Sequence, residues 1–418
     1  MSQSNKIAFA GGYLIDGMGG APIEDSLVLV DDKKIKYAGE KKSFDNGYKI
    51  YDITGKTIMP GLIDTHLHYS GNLSDNDTEW VLEPVYQKAV VAVAQAREAL
   101  ENGLTSVGEI SRFGPHIRNM IEAGVIPGPR TITTGLGFCR TSGHGDSHNL
   151  PLDYNYESHP WAERVDGPWD LRKAVRKRIR ENPDAIKIWS TGGGIWRLDA
   201  KADLHYTMEE IKAVVEESSM VGLPVWSHAE GYEGALLSCK AGVSTIIHGQ
   251  ELNEECLDIM LEKDITFCPT LQFFFEWFTV YEPPYRPIHD EYPGNTVAEK
   301  ELNRIISNLQ NANKRGIRIV VGSDSFCSTL TPYGKYAITE MYALNKAGMT
   351  PMEVITAATK NGAEMLKIDN ITGTLQEGKF ADVLVLDGNP LKDIHIISPE
   401  NMSVIMKEGA LVKGEVKE

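Results

Sequence analysis

Met59-Pro-Gly-Leu-Ile-Asp-Thr-His-Leu-His68 is an apolar run ending in two histidines one residue apart. Alternate side chains of a strand point to one face, so His66 and His68 can reach a common point. A lone His-X-His is weak, being more often structural than metal-binding. Four later stretches strengthen the pattern: Lys187 within Ala-Ile-Lys-Ile-Trp, His228 after Leu-Pro-Val-Trp-Ser, His248 after Ile-Ile, and Asp324 after Ile-Val-Val-Gly-Ser. With the histidine pair counted as one station, five predicted strands each offer a metal-capable side chain. A site assembled from successive strands points to a barrel.

Working outward, residues 59–365 alternate strand and helix, as a parallel sheet requires. Strands are predicted at 61–66, 104–109, 130–134, 185–190, 224–228, 244–248, 265–268 and 318–323, and helices include 80–102, 170–181, 207–221 and 297–315. Thr207 with Glu210 forms a capping-box signature, and Gly222 closes that helix. The fold class is therefore α/β, a (β/α)8 TIM-type barrel. Residues 1–58 and 366–418 read instead as short strands between turn residues, predicting one small β-sandwich domain built from both termini. Two long loops invite a functional reading. Residues 135–169 hold His144, Asp146, His148 and His159; residues 269–296 hold Phe273, Phe274, Phe275, Trp277, Phe278, Tyr281, Tyr285 and Tyr292. The aromatic loop either covers the barrel mouth or packs against another subunit.

The chain has 418 residues, 42% hydrophobic and 24% charged, with a formal net charge of −16. That acidity opposes binding to nucleic acid, whose phosphates need a basic footprint. The one basic run, Arg172 to Arg180, carries Leu171, Val175 and Ile179 every four residues and reads as a helix with a solvated basic face. The cysteines are five, scattered and without metal-type spacing; Cys239, Cys256 and Cys268 read as buried thiols. Neither a signal peptide nor an 18-residue apolar stretch is apparent, so the expected compartment is the cytoplasm, away from membranes.

Lys187 interrupts an apolar strand, where a charged lysine is rarely buried without a partner. It is either paired with a carboxylate or, as a neutral amine, converted by CO2 to a carbamate that bridges two metals. His228 and His248 are each, alone, as readily hydrogen-bonded core histidines as ligands; their positions on successive strands favour ligands. Asp324 can ligate metal, take a proton from water activated there and pass it to a leaving nitrogen.

These motifs resemble the amidohydrolase superfamily nearly end to end, from Met59–His68 to Gly373-Thr-Leu-Gln-Glu-Gly-Lys-Phe-Ala-Asp-Val-Leu-Val-Leu-Asp-Gly388. The Ile186–Gly193 and Ser142–Asp146 segments look most like the imidazolonepropionase-related and Xaa-Pro dipeptidase-like branch. The resemblance implies two divalent metals, zinc being expected. His66, His68 and Asp324 would hold the more buried ion, His228 and His248 the more exposed one, and carboxylated Lys187 would bridge them. It implies hydrolysis of an amide-type C–N bond by a metal-bridging hydroxide, the substrate being a dipeptide, an N-acyl amino acid or a related small molecule. His144 would polarise the scissile carbonyl or hold a substrate carboxylate. Many prolidase-like relatives carry Tyr or His two residues after the fifth-strand histidine; here stands Glu230, with Tyr232 nearby. Glu230 either faces a cationic substrate group or caps the next helix. Relatives are often homo-oligomers. Competing readings are a cyclic-imide hydrolase or deaminase, opposed by Lys187 and by the His228-Ala-Glu230 spacing; a lactone, ester or organophosphate hydrolase on the same site; and a non-catalytic paralogue, opposed by the intact ligand positions.

Overall fold

The computed structural model describes residues 6–74, 76–153, 159–194, 196, 199–279 and 294–415. At the termini, a four-stranded sheet orders Lys34–Glu40, Ser26–Asp31, Lys6–Ala10 and Lys49–Asp52. A five-stranded sheet orders Ala410–Lys413, Met402–Lys407, Val383–Leu386, Thr57–Pro60 and Tyr13–Leu14, so strands from both ends of the chain pair directly. Alternate residues of both sheets (Phe9, Val28 and Val30; Ile58, Val383 and Val404) enter one apolar cluster.

The chain leaves this region at Gly61, whose N–H donates to Asp382 O at 3.0 Å, and enters the parallel strand Leu62–Leu67. That strand, Leu104–Glu109 and Arg130–Thr133 form one three-stranded parallel sheet. A six-stranded sheet orders Ala162–Arg164, Gly137–Cys139, Ile186–Trp189, Val225–Ala229, Thr245–His248 and Thr266–Cys268. Seven of the eight expected strands are thus present, in two parallel arcs. Residues 318–323 are not a regular strand. They bond both arcs nonetheless: Val320 N–H donates to Phe267 O at 3.0 Å, and Thr65 N–H to Val321 O at 2.8 Å. On the other flank Asp184 N–H donates to Thr133 O at 2.8 Å. Two short strands, Gly137–Cys139 and Ala162–Arg164, lie inside what the sequence presented as one loop.

Several local expectations hold. Thr207 and Glu210 form a reciprocal capping box on the helix Met208–Ser219, and all five cysteines are free and buried. The expected helix 80–102 is broken ahead of Pro84 into two helices, Asp77–Leu82 and Val85–Glu101. The basic helix Pro168–Arg180 keeps Lys173, Arg176, Lys177 and Arg180 exposed, as expected, while Arg178 is the exception. Arg176 bonds Glu217 of the next helix at 2.8 Å, and Arg178 is buried against Glu163 at 2.9 Å. The aromatic loop 269–296 is helical at Leu271–Thr279, where Phe274 and Phe275 are buried; Tyr281, Tyr285, Tyr292 and the side chains of Trp277 and Phe278 lie outside the described residues. Among the described residues no helix is long and apolar enough to cross a membrane.

Candidate metal centre and active site

Parallel pairing sets the metal-capable residues side by side at the carboxyl ends of their strands. Trp189 is in register with His228, and Ala229 with His248. Asp324 is delivered to the histidine pair by backbone bonds: its N–H donates to His66 O at 2.7 Å, and His68 N–H donates to Ser325 O at 2.8 Å. Asp324 and His248 hold φ of 58° and 72°, a left-handed conformation that non-glycine residues seldom adopt. Such backbone strain, at two of the few side chains meeting here, is a common mark of a functional site.

Three of the four strand-end imidazoles, those of His68, His248 and His228, are oriented by a bond on the far side, whereas His66 Nδ1 has no hydrogen-bond partner among the described residues. His68 Nδ1–H donates to Ile110 O at 2.7 Å, leaving Nε2 3.1 Å from Asp324 Oδ1. His248 Nδ1–H donates to Thr270 Oγ1 at 2.7 Å, that hydroxyl being committed as a donor to Pro269 O. His228 Nε2–H donates to Gly192 O at 3.3 Å, which leaves Nδ1 as the nitrogen able to ligate. His66 Nε2 lies 3.2 Å from Asp324 Oδ1. Second-side bonds of this kind fix the tautomer a metal needs.

His66, His248 and Asp324 bring ligand atoms within 4.8 Å of one another, and so do His228, Glu230 and His248. Two adjoining groups therefore share His248. Burial pulls His66 down to about 3 and holds His228 and His248 well below the ordinary histidine range, so all three imidazoles keep lone pairs near neutral pH. Asp324 moves the other way: burial opposes its charge, but His66, His68 and His248 outweigh that and hold the carboxyl ionised. A carboxylate among neutral imidazoles is a donor set suited to zinc and similar divalent ions.

Lys187 fits that set. It is 1% exposed, its Nζ has no hydrogen-bond partner, and burial pulls the amine down to about 7. No carboxylate pairs directly with it among the described residues, and the attraction of Asp324 is outweighed by burial. An amine that is substantially neutral at physiological pH can add CO2.

Glu230 belongs to the cluster and not to a helix cap. The helix Tyr232–Ala241 is capped by Gly231 without a side-chain bond, while Glu230 is buried, accepts from Gln250 Nε2 at 2.6 Å and lies 3.9 Å from His228 Nε2. Burial pushes its carboxyl up to about 7. Tyr232, expected near substrate, is not brought into the cluster. It opens the helix pointing outward, and its hydroxyl bonds Glu255 at 3.3 Å. His144 does reach the cluster, its ring stacked on His228 with centroids 4.6 Å apart. Its Nδ1–H donates to Asp199 Oδ2 at 2.7 Å. Burial opposes the imidazolium, yet the Asp199 charge and hydrogen bond outweigh it and raise His144.

Sequence reasoning missed Asp199, His205, Thr270, Gln250 and Asp64. Asp64 sits inside the opening motif, where it accepts from His66 N–H at 3.1 Å and from Ser323 N–H at 3.0 Å, tying the first strand to the Asp324 segment. Its place one residue from the strand-end pair was an available signal; Asp199 lies in an irregular segment and gave none.

The chain is similar to several known proteins over nearly its whole length. The curated ochratoxinase of Aspergillus niger is 30% identical over 423 aligned positions, covering 96% of this chain and 86% of that protein. Its crystal structure superposes with a TM-score of 0.87 at 28% identity, over 99% of this chain and 96% of that one. A Xaa-Pro dipeptidase crystallised with methionine in its active site gives a TM-score of 0.85 at 28% identity, over 98% and 100% of the two chains. A prolidase complexed with N-methylphosphonate-L-proline gives 0.87 at 25%, with the same coverage. A sequence model of the amidohydrolase family matches residues 57–412, and the chain belongs to that family.

Proposed function

We propose that this chain hydrolyses an amide-type C–N bond in a dipeptide, an N-acyl amino acid or a related small molecule, at a centre of two divalent metals. The observation that carries the reading is Lys187: a buried amine without a partner, set on the strand beside that of His228. The similarity to an ochratoxinase and to two dipeptidases supports an amide as the substrate class. In this reading the two parallel arcs and residues 318–323 act as one barrel, and the paired terminal strands as its companion domain.

His66, His68 and Asp324 would hold one ion and His228 and His248 the other, with the Lys187 carbamate between them and Glu230 beside the second. Zinc is the expected metal, which when bound lowers the pKa of water and polarises a carbonyl. Asp324, held ionised by its histidines, takes the proton of the attacking water and delivers it to the leaving nitrogen. His144 directs Nε2 to the substrate while Asp199 occupies Nδ1. Glu230, a buried acid beside His228, selects against anionic groups at that side of the site.

The test is a set of initial rates against dipeptides, N-acyl amino acids, esters and lactones, with the zinc-loaded enzyme. Cleavage of amides at kcat/KM at least tenfold above the other classes is the expected result. Turnover confined to lactones or esters would remove the amide assignment while leaving the metal centre intact.

A further inference from the structure

His144 is held by more than its stacking on His228. Asp199, with a fully buried side chain, accepts the His144 Nδ1–H at 2.7 Å through Oδ2, and its Oδ1 lies 3.5 Å from His205 Nε2. His205 Nδ1 accepts the backbone N–H of His144 at 3.4 Å, so His205 supports the histidine's backbone and lies beside the carboxylate that holds its ring, without a hydrogen bond from Nε2 among the described residues. The segment around Asp199 is bound in turn to the glycines that follow the Lys187 strand: Gly193 N–H donates to Asp199 Oδ1 at 3.3 Å, and Gly194 N–H to Asp199 O at 2.6 Å. Gly193 has a second role. A Cβ there would stand 2.7 and 2.8 Å from the two nitrogens of the His144 ring, which would have to leave its stack.

We propose that Asp199 is the positioning residue for His144, and that Gly193 is the space that lets it act. The carboxylate consumes Nδ1, which turns Nε2 toward the metal-capable cluster; the bare glycine lets the ring lie against His228. This rests on the reading that His144 contacts the substrate. A carboxylate behind a working imidazole fixes both ring orientation and tautomer, and loss of such a partner commonly costs 10- to 100-fold in activity.

The experiment is a double-mutant cycle on the zinc-loaded enzyme, with Asp199→Asn and Gly193→Ala made in the wild type and again in His144→Ala. In the wild-type background each is expected to lower kcat by roughly 10- to 100-fold, with KM changed less than threefold and bound metal unchanged. In His144→Ala neither should lower the residual rate more than about threefold, because no ring remains to be aimed. A merely structural Asp199 gives losses that multiply in both backgrounds, and that result overturns the proposal. If Asp199→Asn does not fold, Gly193→Ala decides the glycine's role alone, and the wild-type proton signal described next decides that of Asp199. A separate readout uses nitrogen-15-labelled histidine: the His144 Nδ1–H proton should give a slowly exchanging, far-downfield signal, absent from Asp199→Asn and from His144→Ala. Absence of that signal in the wild type contradicts the proposal. A wild type that cleaves no amide defeats the amide reading instead, and the proton signal then decides the positioning claim by itself.

Discussion

Replacing Lys187 by Met removes a charge the fold carries at a cost. The amine is 1% exposed, has no hydrogen-bond partner among the described residues and lies 5.1 Å from the centre of the Trp189 ring, and burial pulls it from 10.5 to about 7. In the metal-free protein, unfolding returns it to water and to its ordinary affinity for protons. Between about pH 7 and pH 10.5 the unfolded chain therefore binds more protons at this residue than the folded one, so stability rises with pH across that window. Below about pH 7 both states carry the proton and the folded state bears the full penalty, ~5 kcal/mol as an upper bound. Methionine has similar length, is flexible and adapts to its surroundings without a charge. Urea unfolding of chelator-treated protein should show Lys187→Met more stable than wild type by several kcal/mol near pH 7, the gap shrinking to about 1 kcal/mol near pH 9.5. Loading with zinc and bicarbonate should reverse the order, because only the wild type gains the free energy of the bridged centre. A stability gap that is absent, or that does not change with pH, refutes the description of Lys187 as a buried unpaired amine.

Three further outcomes follow. Asp324→Asn should abolish turnover while retaining the fold and much of the metal, read by circular dichroism, elemental analysis and initial rates; full activity would remove Asp324 from proton transfer. Arg130→Ala should destabilise the protein by ~3 kcal/mol, because it removes the cation that buried Asp382 meets at 2.8 Å and leaves that carboxylate, among the described residues, only the neutral donors Thr372 Oγ1 and Glu408 N–H; thermal unfolding would show it, and an unchanged midpoint would contradict that role. Thr207→Ala should cost ~1 kcal/mol through the lost capping box, read by thermal unfolding, and an unchanged midpoint would contradict the cap's role.

The parts of the site readable from sequence are those whose side chains contradict their surroundings. Lys187 inside Ile-Lys-Ile, and the histidines and Asp324 that close apolar runs, stand out because a strand buried on both faces has few reasons to carry them. What escaped notice depends on contacts distant in sequence. Asp199 reaches His144 across 55 positions, and nothing in its own neighbourhood signals a partner. Glu230 was open to two readings because His-Ala-Glu-Gly suits both a cap and a ligand set; only the backbone path, with Gly231 at the cap, separates them. Residues 318–323 carry a strand-like pattern but make only short bridging contacts, since Gly322 lies close against His66 and Asp324 turns into a left-handed conformation. Tyr232 was drawn toward the site by nearness in sequence, which a helix starting at that residue undoes.

The most direct test of the account is the metal content of protein purified with zinc and bicarbonate, determined by elemental analysis, for wild type and Lys187→Met together. The account predicts about two metals per wild-type chain and a loss of at least one in the variant. One metal or none in the wild type, or two in both proteins, would contradict a centre of two metals built around Lys187.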